Sequence, residues 1–152
     1  MIKEAESFLE VLQIVPHEVE SREKHPHPTS IPLKDYLMVL DCVMNKKPFL
    51  LKKDMKVFMS YTDEGEMNGY LIAILTLTKI KSMNEVRLVK AWYDSEESPG
   101  VMKELHDTAV EWAKENGIKT LKCEADWNDK LIETMEDNWA FQKCTALMTR
   151  RI

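Results

Sequence analysis

The stretch EVRLVKAWYDSEESPGVMKELHDTAVEWAKENGIKTLKCEA, residues 85–125, decides the fold. Its first part, Glu85–Tyr93, is rich in residues that favour strands. Apolar residues then recur at helical spacing, and residues 118–125 alternate between apolar and polar side chains. The helical stripe consists of Val101, Leu105, Ala109 and Trp112. The pattern predicts a strand, a helix and a second strand, joined as a right-handed parallel crossover.

The two ends of the predicted helix carry recognisable signals. Ser98 is expected to cap its start, with Pro99 at the first helical position. Asn116-Gly117 is expected to end it, because glycine adopts the left-handed conformation easily. Gly100 falls in the first turn, where free backbone N–H groups and the positive end of the helix dipole can hold a phosphate. A well-capped helix start without a ligand is the alternative interpretation of the same residues.

The rest of the chain supplies further helices and strands. Upstream, the patterns predict a helix over residues 4–15 ended by Pro16, a polar loop over 18–31 and a helix over 32–44. The other predicted segments are an antiparallel meander over 57–61, 69–78 and 85–93, a helix over 128–138 and a strand over 141–150. The order α-α-β-β-β-α-β-α-β predicts one α/β domain over residues 1–152. Its mixed central sheet would have helices on both faces.

Composition excludes several classes of protein. The chain has 152 residues and a formal net charge of −5, with Lys and Arg scattered among acids, so neither a nucleic-acid partner nor a membrane surface is expected. Three widely spaced cysteines suggest neither a disulfide framework nor a zinc site. His17, His25 and His27 lie near a proline-bearing loop that lacks the preorganisation of a metal site, so no metal is expected. Acidic residues at the N-terminus do not fit a signal peptide, and we expect a cytoplasmic protein.

The order of elements, together with the segment ESPGVM at residues 97–102, resembles the GNAT superfamily of acetyl-CoA-dependent N-acetyltransferases. In that family a loop of pattern Q/R-x-x-G-x-G/A precedes the central helix, and its amides hold the coenzyme A pyrophosphate. Gly100 matches this pattern. Glu97 and Met102 depart from it, since they replace a glutamine or arginine and a small residue.

A second landmark of the family, N-x-x-A-x-x-L-Y-x-x-x-G-F, falls on residues 128–141. Asn128 and Phe141 match. Met135 stands where many members have a tyrosine that protonates the departing thiolate, and a methionine has no proton to donate. The chain therefore resembles a divergent member of the family.

The resemblance implies transfer of an acetyl group from acetyl-CoA to a primary amine, on a small molecule or a peptide, by direct attack. It implies a general base on the central strands, for which Glu85 and Glu124 are candidates and Tyr93 and Asp94 are alternatives. We select Glu85 and Tyr93 as the catalytic residues, and the alternative interpretation of each glutamate is a solvent-facing strand residue. The residues it implies for coenzyme binding are Trp92, Tyr93, Ser98, Gly100, Val101, Met102, Lys103 and Asn128. It also allows a homodimer through the last strand. The alternative is a GNAT-fold binding or regulatory protein without activity, which the departures at 97, 102 and 135 favour.

Overall fold

The computed structural model describes residues 1–24, 32–44, 53–94, 96–123, 133, 135–138 and 140–141. The strands are β1 Ile2–Glu4, β2 Lys53–Tyr61, β3 Met67–Thr76, β4 Glu85–Tyr93 and β5 Leu121–Cys123. The helices are α1 Phe8–Val11, α2 Val15–Lys24, α3 Leu33–Met44 and α4 Val101–Glu115. Short 3₁₀ turns occupy Leu12–Ile14 and Lys81–Met83, and residues 135–138 are helical. In the described part of the chain, no helix is both long and apolar enough to cross a membrane.

The five strands form one sheet in the order β1-β2-β3-β4-β5. The first four are antiparallel to their neighbours, and β5 runs parallel to β4, with Val86 opposite Leu121 and Leu88 opposite Cys123. Between these parallel strands the chain passes through α4, as the crossover pattern predicts. The predicted α/β class with a mixed central sheet is confirmed.

Helices cover both faces of the sheet. On one face α4 packs against the strands through a cluster of buried apolar residues that includes Leu71, Leu88, Leu105 and Trp112. On the other face Val11, Ile14 and Leu40 from the early helical segments pack on the strands. The strand residues of this second cluster are Val57, Met59, Tyr61, Tyr70 and Ile72. Side chains of β3 alternate between the two clusters because successive residues of a strand point to opposite faces.

The N-terminal part differs from the sequence prediction. Residues 2–4 form strand β1 beside β2, with Lys3 opposite Met59, and the predicted helix over 4–15 begins only at Phe8. Helix α2 contains Pro16 and extends to Lys24, where a polar loop was expected. Proline fits here because the N–H it lacks would have no partner in the first turn of a helix.

Helix α4 starts later than predicted, whereas its predicted end is confirmed. The helix begins at Val101, with Gly100 at the N-cap and no side chain capping it, so Ser98 and Pro99 lie in turns before the helix. Gly117 has a φ of +68°, the left-handed conformation expected after the helix. The predicted strand over 141–150 lies outside the described residues from position 142 onward.

Two irregularities in strand pairing lie near the end of β4. Ile72 pairs with Lys90 and Ala73 with Leu88, so Val89 is an extra residue on β4. Ser60 pairs with Gly69 and Tyr61 with Met67, so Asn68 is an extra residue on β3. Such bulges re-aim side chains and are common beside functional sites.

Candidate functional site at the end of β4

The loop between β4 and α4 is organised by Asp94. One oxygen of its carboxylate accepts hydrogen bonds from the N–H groups of Glu96 and Glu97, at 3.0 and 3.1 Å. Its backbone carbonyl accepts from Ser98 N at 3.0 Å, and the Ser98 carbonyl accepts from Val101 N at 3.1 Å. The loop is therefore a succession of tight turns that leads directly into the helix.

Asn68, the bulge residue on β3, forms hydrogen bonds with this loop. The Asn68 carbonyl accepts from Asp94 N at 3.0 Å, and the Asn68 side-chain amide donates to the Ser98 hydroxyl at 2.9 Å. The next residue, Gly69, has no side chain between β3 and the first turn of α4. A Cβ atom there would lie 2.6 Å from Cγ1 of Val101. Glycine thus permits the start of α4 to approach the strand closely.

The first turn of α4 contains backbone donors that have no partner among the described residues. No described residue accepts a hydrogen bond from the N–H groups of Gly100, Met102 or Lys103. A Cβ atom added at Gly100 would meet nothing within 4 Å. Free N–H groups and about half a positive charge at a helix N-terminus suit an anion such as a phosphate. These features are compatible with the phosphate site predicted at Gly100, which stays a prediction.

The charges of the loop oppose an anion. Glu96 and Glu97 are exposed, and Asp94 is half-buried beside them. The Lys103 side chain is exposed and forms an ion pair with Asp107 one turn further along α4. The backbone donors of the first turn fit a phosphate, and the nearby carboxylates lower the affinity that those donors provide.

Trp92 and Tyr93 place their side chains on opposite faces of β4. Tyr93 packs against the cluster under α4, whereas Trp92 packs against the cluster under the early helices. Among the described residues, β5 pairs with β4 only from Val86 to Leu88. The β5-side edge of β4 near Trp92 and Tyr93 thus has no strand partner in the described part of the chain.

Glu85 lies at the other end of β4. Tyr93 is eight positions further along the strand, or about 26 Å away. Its carboxylate pairs with Lys122 of β5 and with Arg87, 2.5 and 2.9 Å away. The hydrogen bond from Lys122, assisted by Arg87, holds the pKa of Glu85 below its usual value. The structure therefore does not bring together the two residues predicted to be catalytic, and Glu85 is a paired carboxylate remote from the loop.

Four further residues singled out from the sequence are Val101, Met102, Asn128 and Met135. Val101 is buried and packs beside Gly69, so it contributes to the position of the helix. Met102 is half-buried in the first turn. Met135, at the position of the family tyrosine, is buried, and Asn128 lies outside the described residues.

Sequence reasoning missed the side chain that lies on Trp92. His17, on α2, stacks against the Trp92 ring with centroids 3.7 Å apart and planes inclined by 31°. Trp92 in turn stacks on the buried Tyr70, with centroids 6.3 Å apart. Burial lowers the pKa of His17, and the nearby charges of Glu20 and Asp94 only partly offset that effect. A lone histidine in a polar stretch gives no sequence signal for this contact.

The residue after His17 attaches α2 to the sheet. Glu18 is buried, and its Oε1 atom accepts a hydrogen bond of 2.6 Å from Nε of Arg22. Its Oε2 atom lies 3.2 Å from Nζ of Lys90, an ion pair outside hydrogen-bond geometry. Lys90 and Trp92 lie two positions apart on one face of β4. The ion pair therefore holds α2 over the strand at the level of Trp92.

Comparisons with known proteins identify the fold. No family model matches the sequence, and no curated protein matches it either. Solved structures match the whole chain. One is the ribosomal-protein-alanine N-acetyltransferase from Brucella melitensis biovar Abortus 2308, with 12% identity, a TM-score of 0.68 and coverage of 100% of this chain and 99% of that one.

Two further matches are structures with bound ligands. The aminoglycoside acetyltransferase meta-AAC0020 from an uncultured soil metagenomic sample, in complex with sisomicin, is 13% identical with a TM-score of 0.70. AAC(6′)-Iy in complex with the bisubstrate analogue CoA-S-monomethyl-acetylneamine is 14% identical with a TM-score of 0.69. Each match covers 100% of this chain, and 95% and 97% of the other chain. The chain has the fold of GNAT acetyltransferases, as its sequence predicts, with strongly diverged residues.

Proposed function

We propose that this protein is an N-acetyltransferase that transfers the acetyl group of acetyl-CoA to a primary amine by direct attack. The observation that carries the proposal is the first turn of α4, where Gly100 opens onto free space beside backbone donors. The fold supports it, since proteins of this fold include acetyltransferases and one that binds a coenzyme A analogue.

The N–H groups of Gly100, Met102 and Lys103 would hold a phosphate of the coenzyme. The backbone of Trp92 and Tyr93 would hold the pantetheine arm along the edge of β4. Binding of this kind places the thioester at the end of β4, where an amine held nearby reacts with high effective concentration. The acceptor would be a small molecule or a peptide, and we expect the reaction in the cytoplasm.

Tyr93 remains the proposed catalytic residue on the strand. Its phenol can donate a proton to the departing thiolate, which Met135 cannot do. Replacement of Tyr93 by Phe removes that donor and leaves the ring that packs under α4. We expect a lower kcat with an unchanged affinity for acetyl-CoA. An unchanged kcat would assign the donor to another group.

The test of coenzyme binding is thermal unfolding with and without acetyl-CoA. A ligand at about 100 times its dissociation constant should stabilise the native state by about 2.7 kcal/mol. Gly100→Asp should abolish this stabilisation, because it puts a carboxylate into the space that the phosphate needs. Gly100→Ala is the matched control, since a methyl group meets nothing there. Absence of stabilisation at millimolar acetyl-CoA would overturn the proposal.

A second candidate is a binding or regulatory protein of the same fold. The observation that favours it is Asp94, whose carboxylate occupies two loop amides and adds to the negative charge of Glu96 and Glu97. Turnover separates the two functions. If acetyl-CoA stabilises the protein but no amine in a panel of small polyamines, aminoglycosides and peptides is acetylated, the binding protein is the better description.

A further inference from the structure

The rings of His17, Trp92 and Tyr70 form a stack on the face of the sheet that carries α2. Tyr70 is buried at the bottom, Trp92 lies over it, and His17 is the outermost and half-buried ring. Trp92 is two residues from Asp94, where the loop of the proposed coenzyme site begins. His17 therefore lies at the same end of β4 as the proposed thioester site, but on the face opposite α4.

Two contacts hold His17 in position: the ion pair of the adjacent Glu18, and the ring of Trp92. Glu18 attaches the helix to Lys90 on the same face of β4, next to the bulge at Val89. Trp92 supplies a flat surface for the imidazole. No described residue forms a hydrogen bond with either ring nitrogen of His17. The ring is thus placed by packing, and its nitrogens have no competing partner in the described part of the chain.

The charged groups around His17 are those of α2 and β4. Glu20 on its own helix and Asp94 at the end of β4 favour the charged imidazolium. Lys90 and Arg22 are paired with Glu18. Burial outweighs the two carboxylates and lowers the pKa of His17 below its ordinary value of about 6.5. At neutral pH the imidazole is neutral and can accept a proton.

We propose that His17 is the general base that takes the proton from the acceptor amine. The inference rests on the proposed acetyl transfer and assigns its missing base. Two described carboxylates near this end of β4 are already engaged: Glu18 with two cations, and Asp94 with two loop amides. Tyr93 lies on the other face of the strand.

His17 accepts one proton from the ammonium form of the acceptor and later releases it to solvent. The nitrogen lone pair that this step exposes forms the bond to the acetyl carbon while the carbon–sulfur bond breaks. The departing thiolate takes a second proton from the nitrogen, directly or through Tyr93, and the third stays on the amide product. Histidine is the residue most often used for such a transfer, since its pKa lies near the working pH.

The experiment compares wild type with His17→Phe and His17→Gln. Phe keeps a flat ring on Trp92, and Gln keeps a polar group, but neither accepts the proton. We expect kcat at pH 7 to fall by about 10²–10⁴-fold, with acetyl-CoA stabilisation unchanged. Glu23→Gln is the control on the same helix, because Glu23 is exposed and lies outside the stack.

Two readouts distinguish a base from a residue with only a structural role. The loss in His17→Phe should shrink as pH rises towards the pKa of the amine, because the amine then loses its proton to solvent. His17→Phe should acetylate an aryl amine at nearly the wild-type rate, because such an amine is already neutral at pH 7. A loss that is independent of pH and of amine basicity would overturn the assignment.

The two proposals fail in different ways. If wild type acetylates an amine and His17→Phe is equally fast at pH 7, His17 is not the base and the acetyltransferase proposal stands. If wild type acetylates no amine, both proposals are wrong.

Discussion

Gly69 and Val101 are in closer contact than any side chain at position 69 would allow. A Cβ atom at Gly69 would lie 2.6 Å from Cγ1 of Val101, and 3.2 Å from the Trp92 carbonyl oxygen. Strand β3 therefore determines how close the start of α4 lies to the end of β4. The proposed coenzyme site depends on that spacing, because its donors belong to the first turn of α4.

Gly69→Ala should destabilise the protein by about 1–3 kcal/mol, since overpacking a filled interior forces the backbone to move. The start of α4 should shift with it, so binding of acetyl-CoA should weaken as well. Gly100→Ala is the matched control. It has a φ of −81° and open space, and should change stability by less than about 1 kcal/mol. Urea unfolding measures both variants, and equal stabilities would contradict the close contact.

Glu18→Gln tests the ion pair that attaches α2 to β4. Gln removes the negative charge of Glu18 from beside Lys90 and Arg22, both of which are partly exposed, at 33% and 21%. We therefore expect a loss of about 1–2 kcal/mol, below the 3–5 kcal/mol of a fully buried pair. Glu20→Gln is the control, because the pair with Lys24 is exposed to solvent and should contribute less to stability than the buried one.

A double-mutant cycle isolates the contact across the two elements. Lys90→Met in the wild-type background and in Glu18→Gln should give a coupling energy of about 1 kcal/mol between positions 18 and 90. A coupling near zero would mean that α2 is held by its apolar contacts alone.

Strand β4 and helix α4 were predictable because their signals are local. Glu85–Tyr93 was predicted with the bounds that the structure has, and Gly117 ends α4 as its conformational freedom suggests. Strand β1 was missed, because three residues carry no periodicity and their order comes from pairing with β2. Helix α2 was missed for a similar reason. Its polar sequence is held by Glu18, which finds its partner 72 positions away in β4.

The candidate site was predictable only in part. Gly100 was predicted as a phosphate site from the start of a helix, and a Cβ atom there would meet nothing within 4 Å, but the binding role stays a prediction. His17 could not be found, since only the packing of α2 on β4 brings it to Trp92. The remoteness of Glu85 could have been recognised from the predicted strand itself, because the loop follows Tyr93 and Glu85 is the first residue of that strand.

The pH dependence of stability follows from the lowered pKa of His17. Because the folded pKa lies below the unfolded one, the unfolded state binds more protons between the two values. The contribution of His17 is therefore fully present above the unfolded pKa, about 6.5, and is lost as pH falls through the folded pKa. As pH falls from 8 to 5, the unfolding free energy of wild type should therefore decrease relative to that of His17→Gln.

Urea unfolding at a series of pH values measures this difference, and the other histidines cancel because both proteins contain them. If the unfolding free energy of wild type instead increases relative to that of His17→Gln as pH falls, Asp94 and Glu20 stabilise a charged His17 in the folded state. That result would also remove the support that the pKa gives to His17 as a base.

Glu97→Gln tests whether the loop charge limits coenzyme binding. The exposed carboxylate stands where the family has glutamine or arginine, and its repulsion from a phosphate is of order 1 kcal/mol in water at about 4 Å. The variant should bind acetyl-CoA about 2- to 5-fold more tightly, by titration calorimetry at low salt. The gain should shrink as salt is added, since the interaction is screened. Glu111→Gln, near the other end of α4, is the matched control and should leave affinity unchanged. Weaker binding by Glu97→Gln would mean that the phosphates do not lie beside this loop.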